Sequence, residues 1–522
     1  MSEAKALPLG WFSTTVEALA SLIQYGHTAS AEPGGHGPRF LRITDIQDNA
    51  VDWRQVPTCT ATAEQAAKYR LEDGDIVFAR TGATTGKSFL LRAPPDALFA
   101  SYLIRVRLRP GVDPRYVWYF FQSPDYWLQV EAGKRGIGQP GVNASVLGQI
   151  RLPVAPEQQQ VRVVAEIEKH LTRIDAGVAA LERVQANLKR YRASVLKAAV
   201  EGRLVPTEAE VARKERRDYE PATKLLARIL KERRARWEAD ELAKLKAKGR
   251  APTDDRWKAR YKEPAPPDTS QLPELPEGWC WATVEQVGDV LLGRQRAPQF
   301  LTGRWSRPYL RVANIKDDAL DLSDIEQMDF DAVHFEKYRL LPGDILVSEG
   351  QSPELVGQSA IYRGGVDGLC FQKTLHRFRA VPGGPSAEFA QVVFRAHVKT
   401  GLFTKAASIT TNIAHLTLEK FVASRFPLPP EHEQSRIVEE VERRLTVADD
   451  AERAIRAQLA RADRLRRSVL RHAFEGTLVP QAPAQPVAQP VHSKTNGSSR
   501  PASAVRTRVR RASLPLREEE AP

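Results

Sequence analysis

Two long stretches of the chain carry apolar residues at alternating three- and four-residue steps. In residues 157–200 these are Val164, Ile167, Leu171, Ile174, Val178 and Leu181, continued by Leu188, Tyr191 and Val195. In residues 431–474 they are Val438, Val441, Leu445, Ala448, Ile455, Leu459, Ala462, Leu465 and Val469. This spacing is the heptad pattern of a coiled coil. At 1.5 Å per residue, each stretch predicts a helix of about 65 Å.

An apolar stripe this narrow does not make a core by itself, so each long helix needs a partner. The nearest partner is the other helix, because each one follows an equivalent segment of the chain. We expect the two to pack antiparallel, which places the segments before them at opposite ends. The alternative is that each helix pairs with another protein or with a second copy of this chain.

The segments before the two helices have the same kind of sequence pattern. Short β-type runs, such as 75–79, 103–108 and 344–347, alternate with Gly, Pro and Asp turns. One helical stretch interrupts each segment, at 114–129 and at 386–403. This pattern predicts α+β domains with small sheets, and the Gly-Asp turns at Gly74 and Gly343 are predicted to be scaffold.

The two halves also match in sequence, in the same order. The offset grows from 269 residues, between Gly74 and Gly343, to 274, between Glu157 and Glu431, so only loops differ in length. The period is far too long for a solenoid and indicates two copies of a domain with its helix. The clearest matches are Gly10-Trp11 with Gly278-Trp279, 40–46 with 309–315, 69–76 with 338–345, and 194–206 with 468–480.

These observations divide the chain into six parts. The insert is charged and helical in pattern over 222–248, and could be a partner-docking arm or a solvated spacer. The tail is rich in Pro, Ala and Ser and then in Arg, and is predicted to be disordered. The parts are a first domain (1–155), a first long helix (156–206), an insert with a Pro-rich linker (207–277), a second domain (278–428), a second long helix (429–480) and a basic tail (481–522).

Composition narrows the function. The net charge of +13 favours a polyanionic partner, since neutralising phosphates is the main source of affinity for nucleic acids. No apolar run reaches the length of a membrane helix, and the N-terminus lacks the apolar core of a secretion signal. Three scattered cysteines have no metal-type spacing and fit a reducing compartment. We therefore expect a cytoplasmic protein without a bound metal or membrane partner.

The search for catalytic motifs finds none that is complete. The string from Gly82 to Lys87-Ser88 has three residues between its glycines, where a phosphate-binding P-loop has four, and a predicted strand follows it in place of a helix. The second copy carries Gln358 where the lysine would be. The ten histidines neither cluster nor pair with cysteines. We expect the chain not to be an enzyme.

Polar loops remain in matching places of the two domains, on frameworks that agree while the loop side chains differ. This is the pattern of one scaffold that displays two reading surfaces of different specificity. Side chains of these types contact base edges and phosphates in DNA. The candidates of the first domain are Arg39, Arg80, Thr81, Thr84, Thr85, Lys87, Lys134, Arg135, Gln139 and Asn143. Those of the second are Arg304, Arg307, Ser348, Gln351, Ser352, Gln358, Lys405, Thr410, Thr411 and Asn412.

In its repeat, its paired long helices and its motifs, the chain resembles a specificity subunit of a type I restriction-modification system. The resemblance covers residues 7–480, and one branch of that family also has a similar central insert. The motifs that carry it are Tyr-Arg-Leu-x-x-Gly-Asp-Ile in both copies, the loop 80–87, Leu-Pro-x-x-Pro-Glu-Gln at 152–158, and Glu-Gly-x-Leu-Val-Pro after each helix.

The resemblance implies that each domain is a target recognition domain reading one half of a split site on double-stranded DNA. The helices would set the unread spacer and dock two methyltransferase subunits, and restriction subunits would join for ATP-dependent cleavage. S-adenosylmethionine, ATP and Mg²⁺ would be bound by those partners in a bacterial or archaeal cytoplasm, and this chain would carry no cofactor. Two alternatives stay open, a self-contained DNA-modifying enzyme with an unrecognised site and a coiled-coil scaffold that binds only protein.

Overall fold

The structure is a computed structural model that describes residues 7–47, 49–82, 84–133, 141–249, 252, 254–410 and 412–480. The basic tail predicted at 481–522 lies outside the described residues. Among the described helices, none is both long and apolar enough to cross a membrane.

The first domain combines short strands with short helices. Its strands are β1 (Phe12–Thr15), β2 (Ala20–Tyr25), β3 (Arg39–Leu41), β4 (Ile46–Gln47), β5 (Ala50–Val51), β6 (Ile76–Ala79), β7 (Ser88–Leu90), β8 (Ala97–Phe99), β9 (Leu103–Leu108) and β10 (Arg151–Val154). Its helices are α1 (Val16–Leu19), α2 (Ala63–Tyr69), α3 (Pro114–Phe120), α4 (Pro124–Gly133) and α5 (Ala144–Gly148). The first long helix, α6 (Glu157–Val200), and the insert helices α7 (Glu208–Glu215) and α8 (Ala222–Ala247) follow it.

The second domain repeats this order. Its strands are β11 (Cys280–Thr283), β12 (Gly288–Leu292), β13 (Ser306–Leu310), β14 (Ile315–Lys316), β15 (Ala319–Leu320), β16 (Glu326–Asp329), β17 (Ile345–Ser348), β18 (Gly350–Gln351), β19 (Ser359–Ile361), β20 (Cys370–Phe371), β21 (Leu375–Ala380), β22 (Ser408–Thr410), β23 (Ile413–His415) and β24 (Arg425–Leu428). Its helices are α9 (Val284–Val287), α10 (Ala332–Tyr338), α11 (Ala387–Lys399), α12 (Leu402–Ala406), α13 (Leu418–Val422) and the long α14 (Glu431–Phe474).

The two domains share one sheet topology. Four antiparallel strands lie in the order β2-β9-β6-β7 in the first domain and β12-β21-β17-β19 in the second. A two-stranded sheet then joins the start of each domain to its end, β1 with β10 and β11 with β24. This mixed helix and strand architecture confirms the predicted α+β class.

The single helical stretch predicted in each domain is wrong in detail, because each is broken into two helices. In the first domain α3 ends before Pro124, which lies in the first turn of α4, where a missing N–H costs nothing. In the second domain Gly401 adopts a left-handed conformation (φ +72°) between α11 and α12. A residue in that conformation interrupts a helix, and glycine adopts it without steric cost.

A buried aspartate holds the matching turn in each domain. Asp75 accepts two hydrogen bonds from Arg107, at 2.8 and 2.9 Å, and Asp344 accepts two from Arg379, at 2.6 and 2.7 Å. Both aspartates are 1% exposed. The hydrogen bonds to the carboxylates raise the pKa of both arginines. A buried carboxylate paired in this way fixes the turn at one end of each four-stranded sheet.

The two long helices pack against each other in antiparallel fashion, as predicted, and together form the stalk. Arg192 near the end of α6 pairs with Asp449 and Glu452 in the first half of α14, at 2.5 and 2.9 Å. Arg466 near the end of α14 pairs with Asp175 in the first half of α6. Partners that run in opposite order along two helices define an antiparallel pair.

Each domain packs against the start of the long helix that follows it and against the end of the other long helix. The core of the first domain includes Val164 of α6 together with Phe474 of α14, whose ring contacts Tyr116 and Phe120. The core of the second domain includes Val441 of α14 together with Leu196, Ala199 and other residues at the end of α6. The domains therefore lie at opposite ends of the stalk.

The heptad assignment is correct for most of the stalk and wrong at two positions. Leu445, Ala448 and Ile455 of α14 are buried. However, Leu465 is 45% exposed and Tyr191 is 39% exposed, so neither lies in the seam. An α-helix has 3.6 residues per turn, and a 3.5-residue pattern therefore drifts off the contact face.

The insert packs against the second domain, an outcome that the sequence left open between a docking arm and a spacer. Leu225 and Ile229 of α8 are buried in the core of that domain. Trp237 of α8 stacks on Trp257 at 6.1 Å between ring centroids and contacts Tyr261, so the linker folds back along α8. Among the described residues, no comparable helix and linker pack against the first domain.

A buried glutamate joins the insert to the second long helix. Glu433 of α14 accepts a hydrogen bond from Trp279 Nε1 at 3.0 Å and one from the backbone N–H of Glu208 at 2.8 Å. Burial raises the pKa of Glu433 to about 7. The first copy carries the neutral Gln159 at the matching position.

Replacing Phe474 by alanine is expected to destabilise the chain by about 3–5 kcal/mol, because it removes a buried ring from the contact between α14 and the first domain. Chemical denaturation measures this loss. Leu465→Ala, on the exposed face of the same helix, is the control and should change stability by less than about 0.5 kcal/mol. Equal losses for the two variants would contradict the packing of the first domain against the end of α14.

Glu433 is expected to make stability depend on pH. Its folded pKa of about 7 exceeds the ordinary value of 4.5, so between these pH values the folded chain holds a proton that the unfolded chain has lost. Stability should fall across this window as pH rises, by up to about 3 kcal/mol. Glu433→Gln should remove this step in denaturation curves at pH 5 and pH 8. Glu442→Gln, on the exposed face, should keep it, and a pH profile of Glu433→Gln identical to wild type would refute the assignment.

Candidate nucleic-acid interface

A loop follows the same central strand in both domains and is closed by the same hydrogen bonds. In the first domain Ala79 N donates to Lys87 O at 2.8 Å, and Gly86 N donates to Ala79 O at 2.9 Å. In the second, Ser348 N donates to Gln358 O at 2.9 Å, and Gly357 N donates to Ser348 O at 3.1 Å. Lys87 and Gln358 therefore occupy equivalent positions. Each loop lies at the end of its sheet opposite the Gly-Asp turn.

The glycine before Lys87 is required by packing. Gly86 has φ +98°, and a Cβ there would lie 2.7 Å from the ring of Trp127 in α4. Tyr126 of the same helix donates its hydroxyl to Gly86 O at 2.6 Å. The loop therefore packs on α4. Strand β7 follows the loop, which confirms the strand predicted after Lys87.

In the first domain Arg80 connects this loop to a second one. Its guanidinium lies over the ring of Tyr25, 4.9 Å from the centroid, and its carbonyl accepts from Val142 N at 3.0 Å. Tyr25 in turn accepts from Ala144 N at 2.9 Å. Asn143 lies between these contacts and is exposed, with its side chain capping α5. The loops at 80–87 and 141–143, which are distant in sequence, therefore form one surface.

In the second domain a small antiparallel sheet brings the matching loops together. Its strand order is β18-β23-β22, with Gln351 opposite Ala414 and Thr410 opposite Ile413. Leu416 N donates to Glu349 O at 2.7 Å, which is the counterpart of the Val142–Arg80 bond. Gln351, Thr410 and the exposed Asn412 therefore share one end of the domain.

Two of the candidate residues are buried, so the prediction that their side chains are displayed at the surface is wrong. Ser348 is fully buried, and its hydroxyl donates to Gln358 O at 3.1 Å. Thr85 is 4% exposed and donates its hydroxyl to Gly82 O at 2.7 Å. Both hydroxyls are used inside their loops and do not face a ligand. The hydrogen bonds also show that Arg80 matches Glu349, one residue beyond the Ser348 expected from the sequence.

Three candidate arginines lie away from these loop surfaces. Arg39 of β3 donates to Val56 O at 2.8 Å and so braces its own domain. Arg304 and Arg307 are exposed near the start of β13, where they lie over Trp305 and Phe335. The other end of β13 pairs with β20, and Thr374 O in the turn after β20 accepts from Glu349 N at 2.9 Å. These arginines are therefore candidates for phosphate contacts beside the loops and not within them.

The remaining candidates divide into exposed, half-buried and undescribed residues. Lys87 and Lys405 are exposed, and Thr81, Thr84, Gln351, Ser352 and Gln358 are half-buried at the loops. Lys134, Arg135, Gln139 and Thr411 lie outside the described residues. That any of these side chains contacts DNA stays a prediction.

Sequence reasoning missed exposed apolar and aromatic side chains on the same surfaces. Tyr25 (38% exposed) supports Arg80, and Tyr102 (48% exposed) lies beside it in the chain segment bonded to Arg80. In the second domain Ile409 and Ile413 are 56% and 50% exposed. The available signal was a pair of β-branched residues flanking a polar Thr-Thr-Asn turn.

The described side chains at these loops are of the kinds that contact nucleic acids in known complexes. They offer guanidinium, ammonium, amide and hydroxyl groups, which bond base edges and phosphates. Burial raises the pKa of all three thiols, to about 11 for Cys280 and to about 12 for Cys370, so they stay protonated. Among the described residues, no group of three His, Cys, Asp or Glu side chains could hold a metal ion.

Comparison with known proteins supplies the class. The chain is 23% identical over 488 residues to the type I restriction enzyme StySPI specificity subunit of Salmonella potsdam, covering 91% of this chain and 90% of that one. It is 21% identical over 492 residues to the EcoKI specificity subunit of Escherichia coli K12, covering 92% of each. No protein-family model matches the chain.

A solved structure supports the fold. It is described as the structural basis of complex assembly and conformational transition of the type I R-M system, and it matches with a TM-score of 0.55 at 17% identity. The match covers 90% of this chain and 99% of that one. The recognition made from the sequence is thereby confirmed, and the chain is a homologue of type I restriction enzyme specificity subunits over nearly its whole length.

Proposed function

We propose that this chain is the DNA-binding specificity subunit of a type I restriction-modification complex, in which each domain reads one half of a bipartite target. The observation that carries the proposal is the pairing of two like domains with unlike loops at the two ends of one stalk. Homologous specificity subunits along the chain support it. The alternatives, a self-contained enzyme and a protein-only scaffold, are not favoured by these relatives.

The loops of the two domains differ in the way that two half-sites of different sequence require. The first domain offers Arg80 and Lys87 where the second offers Glu349 and Gln358. Arginine and lysine pair best with guanine and phosphate, whereas glutamine pairs best with adenine. The scaffold beneath both loops is the same, so the difference in side chains would translate directly into a difference in the bases read.

Two equivalent grooves beside the stalk support docking of two copies of one modification subunit. Each groove lies where a domain overhangs α6 or α14, beneath a hairpin turn at Asn49 or at Asp318. Five stalk residues that line the first groove recur as the same residue type in the second, whereas Val178 and Glu182 correspond there to Glu452 and Arg456. The repeated pairs are Glu168 with Glu442, Leu171 with Leu445, Thr172 with Thr446, Asp175 with Asp449, and Arg466 with Arg192.

Identical side chains at two places related by the repeat fit two copies of the same partner. In this complex the chain itself would carry neither cofactor nor catalytic group. The methyltransferase subunits would bring S-adenosylmethionine, and the restriction subunits ATP and Mg²⁺. Assembly would take place on double-stranded DNA in the cytoplasm of a bacterium or an archaeon.

Exchanging residues 10–150 for the matching domain of another specificity subunit is expected to change one half of the methylated sequence and leave the other intact, because each domain reads its half alone. Methylome sequencing of cells carrying the chimaera measures this. The reciprocal exchange of 278–428 is the matched control and should change the other half. Loss of both halves in either chimaera, with the complex still assembled, would refute independent reading.

Inserting one heptad at matched positions of α6 and α14 is expected to lengthen the unread spacer by about three base pairs, since seven residues add about 10 Å and a base pair rises about 3.4 Å. The methylated motif gives the spacer directly. Substituting seven residues of the exposed stalk face without insertion is the control. An unchanged spacer in the insertion variant would show that the stalk does not set it.

A further inference from the structure

The second domain extends an exposed two-stranded ribbon, formed by β22 and β23. Ser408, Ile409 and Thr410 of β22 are all exposed, as are Asn412 and Ile413. The ribbon is joined to the domain on one side only, through the pairing of β23 with β18. Its outer strand therefore projects from the body of the domain.

The base of the ribbon is held firmly. The backbone of Leu416, directly after β23, donates to Glu349 O at 2.7 Å and accepts from His376 Nε2 at 2.7 Å. His376 is fully buried and stacks on Phe421 at 5.4 Å between ring centroids. Burial lowers the pKa of His376, so the ring stays neutral and donates through Nε2. These contacts fix the ribbon at its base.

Two isoleucines, Ile409 and Ile413, make part of the exposed surface of the ribbon apolar. Ile413 pairs across the ribbon with Thr410, on the face that also carries Ser408 and His415. Ile409 lies on the other face, opposite Ala414. Single exposed apolar residues are common and need no explanation. Ile409 on the outer strand and Ile413 on its neighbour are each about half exposed and lie four residues apart in the sequence. Two such residues so close together indicate a surface that is buried in a complex.

DNA fits this surface in shape and in charge. The major groove is about 12 Å wide and admits a two-stranded ribbon, whose strands lie about 4.8 Å apart. Lys405 of α12 precedes the ribbon by three residues, and Lys420 Nζ of α13 donates to Ser408 Oγ at 2.8 Å. These ammonium groups near the base of the ribbon can contact phosphates beside the groove.

The apolar groups have one counterpart in the major groove. Thymine presents a C5-methyl group there, whereas the other features of the base edges are hydrogen-bond donors and acceptors. We propose that the ribbon enters the major groove of the half-site read by the second domain and that Ile409 and Ile413 read thymine through this methyl group. The proposal rests on the proposed function and assigns two specificity residues to it.

The test removes the methyl group from the DNA and the side chain from the protein in turn. The chain, assembled with its modification subunits, is titrated at fixed salt with duplexes that carry thymine or deoxyuridine at each thymine of the second half-site. The wild-type complex should bind a deoxyuridine duplex about three- to fivefold more weakly at the position that is read, the effect of one buried methyl group. Ile409 and Ile413 lie on opposite faces of the ribbon, so each would contact a different base. Ile409→Ala and Ile413→Ala should therefore each lose the preference only at the thymine that the replaced side chain contacts.

Two controls separate this effect from others. Val333→Ala replaces an exposed apolar residue on α10 of the same domain and should keep the wild-type preference for thymine. Deoxyuridine in the first half-site should act alike on all proteins. The melting temperature of each variant should match wild type, because both isoleucines are exposed.

Each outcome decides one point. A wild-type complex without sequence-specific DNA binding would overturn the proposed function itself. Specific binding with a second half-site that lacks thymine, or with thymine preference intact in both isoleucine variants, would overturn the ribbon assignment alone. If either variant instead weakened assembly with the modification subunits at unchanged thymine preference, the ribbon would be a protein-binding edge and the proposal would be wrong.

Discussion

The packing of the two long helices against each other is the contact on which the rest of the structure depends. Each helix has an apolar stripe too narrow to form a core, so neither is stable as an isolated rod in water. Burying Ala448 and Ile455 of one helix against the other satisfies both stripes at once. Because the pairing is antiparallel, it also fixes where the domains lie, since each one packs on the start of one helix and the end of the other.

In each domain the two ends of the central sheet differ in kind. One end holds a buried ion pair, and the other carries the candidate DNA-contacting loops. At one end a buried aspartate and its arginine hold the Gly-Asp turn, and this pair repeats in both copies as Asp75–Arg107 and Asp344–Arg379. At the other end the loops are closed by the same backbone bonds but carry different side chains. Backbone hydrogen bonds do not depend on side-chain identity, so these loops can change what they bind without changing how they fold.

The insert breaks the near-symmetry of the molecule. It packs only on the second domain, where Leu225 and Ile229 are buried, and Glu433 joins it to the stalk at a position where the first copy carries a glutamine. The two ends of the stalk therefore differ in surface although their helices match. The five groove residues that the two copies share therefore lie in two different surroundings.

The sequence by itself determined the duplication, the α+β class and the antiparallel stalk, because repeated motifs and heptad spacing are properties of order along the chain. It also placed the polar loops, as Lys87 and Gln358 show. Only the tertiary structure decided which loop residues face outward. Ser348 and Thr85 are as polar as their neighbours, yet their hydroxyls donate to backbone carbonyls within their own loops. Ile409 and Ile413, in contrast, are apolar and exposed. Exposure depends on contacts between segments distant in sequence, such as β18 with β23 and Arg80 with Val142, and no local pattern records those contacts.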